Sequence, residues 1–330
     1  MRKLHLPNIQ REPRSFALKR QMLTILATMV IGALLFLATM VGGVWWRQER
    51  IAYQPPVDHQ RSPSDVRKID YVAADDQPLA GYLIEPAGEP AGVLIAFHGN
   101  ADLATWQIPW GREVARRTGW CLFLAEYRGY GGLGGTPSYV GVREDARAAW
   151  RAVQRFAQEH PTIRDPKFAL FGHSLGSGVA SELAAELQSK AVTPCNSGTA
   201  REQALSVLVL QSPFTSARDM ARIVSTRPVQ VLWSLIARIH YDTRACFNEI
   251  DVPVSIAHGA RDWLVPVSMG SELFSRAKMP GRLLIVDGAG HNDIAEIGGE
   301  SYWQWLSDAL SVRPVLRHEP QLTRRTEMLG

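Results

Sequence analysis

A long uncharged run near the start of the chain limits its possible structures more than any other feature. Residues 22–46 contain no Asp, Glu, Lys or Arg, and they end in Trp45 and Trp46. As an α-helix, a run of this length extends roughly 37 Å, which is enough to cross a hydrocarbon core of ~30 Å. Tryptophan is enriched at the membrane interface. The run therefore predicts one membrane-spanning helix over residues 22–46.

Two other structures also contain apolar runs, namely a cleaved signal peptide and a buried core helix. The apolar part of a signal peptide usually covers only about 7–15 residues and ends at small residues, whereas this run ends in Trp-Trp-Arg. A core helix at the edge of a fold carries a polar stripe, which this run lacks. We therefore favour an uncleaved anchor.

Charges on either side of the run predict its orientation. Basic residues lie mostly before it, at Arg2, Lys3, Arg11, Arg14, Lys19 and Arg20, with only Arg47 and Arg50 close behind. Because basic flanks stay in the cytoplasm, residues 1–21 are expected there and the catalytic domain on the extracytoplasmic side, the periplasm in a bacterium. Residues 47–65, which are polar and rich in proline, are expected to form a linker. A globular domain over residues 66–312 and a tail over 313–330 complete the prediction.

Composition excludes several classes of protein. With 46% hydrophobic and 21% charged residues, the chain has the composition of a folded protein. A net charge of +4 without a basic stripe argues against a nucleic-acid partner. The three cysteines, Cys121, Cys195 and Cys246, are too few and too scattered for a disulfide scaffold or a zinc site. The sequence leaves open whether Cys195 and Cys246 form a disulfide or remain free thiols.

Apolar runs alternate with helical patterns through the globular part. Eight strands are predicted, over residues 69–73, 79–84, 93–97, 121–126, 168–171, 207–210, 254–257 and 283–286. The later runs are almost continuously apolar, as in a parallel sheet that is covered on both faces. The alternation predicts a doubly wound α/β fold with a mostly parallel eight-stranded sheet. Residues 215–247 exceed a simple crossover and are predicted to form a small helical lid.

One glycine-flanked serine follows a predicted strand directly. The sequence Gly-His-Ser-Leu-Gly at residues 172–176 comes after the apolar run 168–171 and precedes a helical stretch. A G-x-S-x-G sequence between a strand and a helix is typical of a nucleophile elbow, a tight turn that exposes the serine hydroxyl. Ser174 is therefore the predicted nucleophile.

A serine hydroxyl needs a base to remove its proton and a carboxylate to orient that base. Downstream of the elbow, Asp262 lies in the loop after the strand 254–257, and His291 lies in the loop after the strand 283–286. Both loops are expected at the carboxyl edge of the sheet, as is Ser174. We therefore predict a Ser174–Asp262–His291 triad.

Other histidines and carboxylates were weighed for the same roles. His173 is next to the nucleophile and is expected to point away from it, and His258, at the end of a strand, is expected to pack or to hydrogen-bond. Asp287 and Asp293 flank His291 too closely in sequence to orient its ring.

Acyl transfer also needs two N–H donors for the oxyanion. One is expected from Leu175, the residue after the nucleophile, and the other from the loop after the strand 93–97. In that loop Gly99 permits close backbone approach, so Asn100 is the predicted second donor and Ala101 is the alternative. Neither an H-E-x-x-H sequence nor a phosphate-binding loop occurs, and we predict neither a metal nor a cofactor.

Seven motifs in order carry a family resemblance over about residues 66–310. They are FHGNAD (97–102), EYRGYG (126–131), GTPS (135–138), GHSLGSG (172–178), QSPFTS (211–216), HGARDWLVP (258–266) and GAGHND (288–293). With these motifs the chain resembles the α/β-hydrolase superfamily, and more closely its membrane-anchored serine hydrolases, which include eukaryotic protein depalmitoylases and bacterial relatives. The resemblance implies the α/β-hydrolase fold and serine hydrolase activity.

One motif departs from the pattern of that group. After Arg128-Gly-Tyr-Gly131 the group has a Ser-x-Gly element followed by Pro-Ser-Glu, whereas this chain has Gly132-Leu133-Gly134 and Pro137-Ser138-Tyr139. The difference concerns the shape of the acyl pocket and not the triad. Protein depalmitoylation is not carried over, because those enzymes face the cytoplasm.

The sequence therefore predicts a membrane-anchored serine hydrolase that cleaves an ester or thioester through an acyl-enzyme on Ser174. Its expected substrate is a small-molecule or lipid-like acyl ester. Two alternatives remain open, a serine peptidase or amidase of the same fold and an anchored binding protein without catalytic activity.

Overall fold

The computed structural model describes residues 14–56, 63–160, 167–191 and 205–311. Several features discussed above lie outside these ranges: part of the basic N-terminus, Cys195 and the tail over residues 313–330. The chain divides between Gln48 and Glu49 into two compact units.

The described part of the N-terminal unit is one long helix, whose last residues, from Glu49 onward, belong to the second unit. This helix, α1, covers Arg14–Ala52, and its part Leu18–Ala52 is long and apolar enough to cross a membrane. The helix continues to Ala52 and so extends into the segment predicted as a linker, residues 47–65. No proline occurs in this stretch before Pro55, so nothing in the backbone ends the helix sooner. Tyr53 is already part of the hydrophobic core of the second unit, with only 3% of its surface exposed.

The second unit is built on the predicted eight-stranded sheet. Its strands are β1 Arg67–Val72, β2 Pro78–Ile84, β3 Val93–Phe97, β4 Cys121–Ala125, β5 Phe168–His173, β6 Leu205–Gln211, β7 Val254–Gly259 and β8 Pro280–Val286. They lie in the order β1-β2-β4-β3-β5-β6-β7-β8. Strand β2 is antiparallel to both its neighbours, and all the pairs from β4 to β8 are parallel. The predicted mostly parallel sheet is confirmed.

Helices cover both faces of this sheet, as predicted. They are α2 Ile108–Thr118, α3 Tyr139–Glu159, α4 Leu175–Ala191, α5 Ala217–Val224, α6 Arg227–Ile236, α7 Thr243–Cys246, α8 Val267–Arg276 and α9 Ile294–Ser311. Side chains alternate between two cores along each strand, so that Ile95 packs with α3 and α4 while Leu94 packs with α2 and α9. The segment predicted as a lid, residues 215–247, contains the three short helices α5, α6 and α7.

The topology brings four loops to one edge of the sheet. Strands β3, β5, β7 and β8 run parallel, so the residues after each strand emerge on the same side. Binding sites of open α/β sheets lie outside this carboxyl edge. The loops that follow these strands carry Asn100, Ser174, Asp262 and His291.

Candidate active site

A strained turn between β5 and α4 presents Ser174. Its φ angle is +51°, in the left-handed region that side chains other than glycine rarely adopt. The turn is joined to the end of β6 by the Ser174 N–H, which donates to the Gln211 carbonyl at 3.0 Å. A Cβ on Gly172 would collide with the carbonyl of Gly176, and one on Gly176 would collide with the carbonyl of Phe97. Gly172 is therefore required by the tightness of the turn, and Gly176 by the close approach of α4 to the end of β3.

The structure brings Ser174, His291 and Asp262 together in one hydrogen-bonded chain. Nε2 of His291 lies 2.8 Å from Oγ of Ser174, and Nδ1 of the same ring lies 2.7 Å from Oδ2 of Asp262. In this arrangement Nδ1–H donates to the carboxylate, which leaves Nε2 free to accept the serine proton. The geometry has the form of a nucleophile, a base and an orienting acid.

The Asp262 carboxylate is held mainly by residues close to it in sequence. Its Oδ1 accepts hydrogen bonds from the backbone N–H groups of Leu264, at 2.9 Å, and Val265, at 2.8 Å. Its Oδ2 lies 3.3 Å from Nε2 of His258, which is fully buried. Burial alone would raise the pKa of Asp262, but the hydrogen bonds from His258, His291 and Val265 outweigh it and hold the pKa below its usual range. Asp262 therefore stays ionised at neutral pH.

Two further side chains fix the backbone of His291. Nε2 of His173 lies 3.2 Å from the His291 carbonyl oxygen, and the Ser212 hydroxyl donates to the same oxygen at 3.1 Å. Burial, together with the nearby His291, lowers the pKa of His173 to about 4, so His173 is neutral at pH 7 and donates through Nε2. His173 thus contacts the backbone of the base and not the serine hydroxyl. Sequence reasoning missed Ser212, although it lies within the QSPFTS motif.

The two predicted oxyanion donors belong to two different segments next to the elbow. Leu175 is the first residue of α4, directly after Ser174. Asn100 lies in the loop after β3, and the preceding Gly99 is so close to the elbow that a Cβ on it would lie 3.1 Å from Nδ1 of His173 and 3.5 Å from Cβ of Ser174. The loop after β3 therefore packs against the nucleophile, as the prediction of a donor from this loop requires.

A buried ion pair supports the loop after β3. Nε2 of His98 lies 2.8 Å from Oε1 of Glu126, and its Nδ1 lies 2.8 Å from the Gly99 carbonyl oxygen. Both ring nitrogens therefore face acceptors, which requires the imidazolium form. Burial would lower the pKa of His98, but Glu126 outweighs burial and raises it. The other Glu126 oxygen accepts the Ala104 N–H at 3.1 Å, so one carboxylate holds both ends of the loop.

No group of three His, Cys, Asp or Glu side chains that could hold a metal ion occurs in the part of the chain that the structure describes. Cys121 is buried in β4, and Cys246 is partly buried; both are free thiols. The sequence leaves open whether Cys246 pairs with Cys195, and Cys195 lies outside the described residues.

Comparisons with known proteins extend these observations. No family model matches the chain. It is 28% identical over 277 residues to the uncharacterized protein Rv2307c of Mycobacterium tuberculosis, which covers 82% of this chain and 86% of that protein. It is 30% identical over 218 residues to human alpha/beta hydrolase domain-containing protein 17B, which covers 64% of this chain and 63% of that protein.

Among solved structures, the Pyrococcus furiosus esterase Pf2001 superposes with a TM-score of 0.57. The match covers 78% of this chain and 97% of the esterase, at 19% sequence identity. Together with the sheet order, these comparisons confirm the α/β-hydrolase fold and the resemblance to that superfamily. The prediction that the protein is a hydrolase is also confirmed.

Proposed function

We propose that this protein is a membrane-anchored serine hydrolase that cleaves a carboxylic ester or thioester by acyl transfer to Ser174. The observation that carries the proposal is the continuous hydrogen-bonded chain from the Ser174 hydroxyl through His291 to Asp262. This arrangement supports nucleophilic attack because one nitrogen of the His291 ring faces the serine hydroxyl while the other faces an ionised carboxylate.

In the first half of the reaction, Oγ of Ser174 attacks the substrate carbonyl and its proton passes to Nε2 of His291. The resulting imidazolium is stabilised by Asp262, which remains a carboxylate. The tetrahedral intermediate then collapses, the bond to the alcohol or thiol breaks, and His291 returns the proton to that leaving group. An acyl-enzyme on Ser174 remains.

The negative charge of the intermediate is proposed to be held by the N–H groups of Leu175 and Asn100. The alternative second donor is Ala101, the following residue, which has a positive φ of 53°. Removal of one such donor typically lowers kcat by ~10²–10³. In the second half of the reaction, water attacks the acyl-enzyme with His291 as base, and the acid is released. This sequence requires no metal or cofactor.

A hydrophobic acyl substrate is supported by exposed apolar side chains in the loop after β7 and in the segment predicted as a lid. Trp263, next to Asp262 in sequence, is 83% exposed, and Leu235 on α6 is 77% exposed. Such side chains would favour an apolar ligand or a lipid surface if they form one contiguous patch in the substrate complex. We propose that residues 215–247 act as a lid over the site.

We also propose that helix α1 anchors the chain in a membrane and that the catalytic domain lies on the extracytoplasmic side.

The proposal is tested by hydrolysis of p-nitrophenyl esters of increasing acyl length with the full chain in detergent micelles. Ser174→Ala should lower kcat by up to ~10⁶, whereas Ser271→Ala, a matched change at an exposed serine of α8, should leave it unchanged. A fluorophosphonate probe should label the wild-type protein and Ser271→Ala but not Ser174→Ala.

Equal hydrolysis by Ser174→Ala and the wild type would exclude Ser174 as the nucleophile. Absence of labelling in the wild type would instead favour a binding protein without catalytic activity. Faster cleavage of peptide anilides than of any ester would favour the peptidase alternative. Reporter fusions at the C-terminus test the proposed membrane orientation, and a reporter that is active only in the cytoplasm would contradict it.

A further inference from the structure

The side chain of Asn100 is bonded to the end of the N-terminal helix. Its Nδ2 donates to the Ala52 carbonyl at 2.6 Å, and its Oδ1 accepts the Gln54 N–H at 3.0 Å. A third bond comes from the Tyr130 hydroxyl, which donates to Oδ1 at 2.7 Å. Two of these three bonds use backbone groups of residues 49–54, which we call the junction segment.

The junction segment is itself fixed to the second unit at other points. The Glu49 carboxylate accepts the Tyr139 N–H at 3.1 Å and pairs with Arg238 at 3.0 Å. The hydroxyls of Tyr53 and Tyr241 lie 3.0 Å apart and share a hydrogen bond. Both tyrosines are almost fully buried. The junction segment is therefore held in place by its own contacts, so its bonds to Asn100 can fix the position of that side chain.

The position of Asn100 makes these bonds relevant to catalysis. Its side-chain amide is joined to its own backbone through Cβ, so fixing the amide restricts where the backbone N–H of the same residue points. On its other side, the loop packs through Gly99 against Ser174 and His173. An asparagine suits this place because it donates to one backbone group and accepts from another, which neither Ala nor Asp can do.

We infer that the Asn100 side chain and the junction segment position the second oxyanion donor, so that the end of the membrane helix forms part of the active-site framework. The inference rests on the proposed function, because it concerns the oxyanion site of that reaction. Asn100 has two separable parts in this account: its backbone N–H contacts the substrate, and its side chain is a positioning group.

The decisive variant is Asn100→Ala in the full chain, because it keeps the backbone N–H and removes all three side-chain bonds. Misplacement of a catalytic group by about 1 Å can cost ~10²-fold, so we expect kcat to fall by roughly 10- to 100-fold. KM should change little, because the oxyanion forms only after binding. Asn248→Ala, at an exposed asparagine before β7, is the matched control and should retain wild-type kcat.

Two readouts separate positioning from a general loss of structure. Titration with a fluorophosphonate counts the intact nucleophiles, so kcat is expressed per labelled serine. Affinity for a trifluoromethyl ketone, which forms an oxyanion on the enzyme, should weaken about as much as kcat/KM falls. A merely structural role would lower the labelled fraction and leave both quantities unchanged per labelled serine.

A second pair of variants tests the junction segment itself. Gln54→Pro deletes the N–H that Asn100 accepts, whereas Gln54→Ala keeps this N–H and removes only the exposed side chain. We expect Gln54→Pro to lower kcat per labelled serine by at least severalfold more than Gln54→Ala. Equal kcat values for the two variants would overturn the role of the junction.

The inference is overturned if Asn100→Ala keeps kcat per labelled serine within twofold of the wild type while Ser174→Ala is inactive. That result would leave the proposed function standing. If Ser174→Ala remains active or the wild type is not labelled, the proposed function fails, and the inference fails with it.

Discussion

The two sides of the candidate site are stabilised in different ways. On the side of the base, Asp262 is bonded to Leu264 and Val265, two and three residues further on, and it lies near His258, four residues earlier. On the other side is the loop after β3, which carries the proposed second oxyanion donor and is called the oxyanion loop here. Its Asn100 is bonded to residues 30 to 48 positions away. The first arrangement is local to one strand-end loop, and the second depends on distant segments.

This difference predicts which changes affect each side. The loop that contains Asp262 is held by hydrogen bonds between its own residues. Substitutions elsewhere in the molecule should therefore leave the position of the proposed base unchanged. The oxyanion loop takes its shape from β4, from the loop that contains Tyr130 and from the junction segment, so changes far from Ser174 in sequence should reach it. The following variants test this contrast.

The largest effect is expected from Asp262→Asn. The amide would present a donor where His291 needs an acceptor, which favours the wrong tautomer, and the corresponding change in a serine protease triad lowers kcat by ~10⁴. Asp70→Asn, at an exposed position of β1, is the matched control. Steady-state hydrolysis at pH 7 measures the change, and a loss below 10-fold would argue against Asp262 as the orienting acid.

A smaller loss of activity, accompanied by a loss of stability, is expected from Glu126→Gln. This change leaves the buried His98 imidazolium without its counter-charge, and breaking a buried pair typically costs 3–5 kcal/mol. Because Glu126 also holds Ala104, we expect kcat per labelled serine to fall about 10-fold as the oxyanion loop shifts. Thermal unfolding and active-site titration measure the two effects. Wild-type kcat per labelled serine would show that the loop keeps its shape without distant support.

The smallest effect is a pH-dependent change in stability at Glu182 on α4. Glu182 accepts a hydrogen bond from Tyr139, whose N–H binds Glu49 of the junction segment. Burial raises the pKa of Glu182 from 4.5 to about 7, an effect only partly offset by the Tyr139 bond and by Arg143 and Arg147.

The sign of this effect follows from proton binding. Between pH 4.5 and 7 the folded state keeps a proton that the unfolded state has lost, so the free energy of unfolding falls as the pH rises through this window, by up to ~3 kcal/mol. Glu182→Gln should lack this component and gain stability relative to the wild type as the pH rises from 5 to 8. Urea unfolding at pH 5 and pH 8 measures this difference in the free energy of unfolding, with the exposed Glu159→Gln as control. If the free energy of unfolding changes with pH in the same way for Glu182→Gln and the wild type, the prediction is contradicted.

The contrast between local and long-range contacts also explains which features could be predicted from the sequence. All eight strands were predicted. The central parallel strands, such as β3, β4 and β6, are buried and therefore continuous apolar runs, whereas β1 is an antiparallel strand with exposed residues. Ser174, Asp262 and His291 could be chosen because each lies directly after a predicted strand, and parallel strands bring such residues to one edge. These inferences use only local patterns and one rule of topology.

The remaining features depend on contacts that no local pattern reveals. Nothing near Asn100 in the sequence shows that its side chain bonds Ala52 and Gln54, and the proline-rich stretch after residue 53 suggested a linker in their place. The helices α5 and α6 lie in a segment of mixed polarity. From its sequence we could predict a small helical lid but not the bounds of the individual helices. The pairing of His98 with Glu126 joins the ends of two strands that are adjacent in the sheet but 28 residues apart in the chain.

The junction segment also has a consequence for the order in which the chain can assemble. Residues 49–54 are synthesised before any strand of the sheet, yet Tyr53 finds its hydrogen-bonding partner 188 residues later, at Tyr241. Contacts of such long sequence separation form slowly, because the intervening chain must close a large loop first. The segment at the end of α1 is thus among the first parts of the domain to be made and among the last to reach its final contacts.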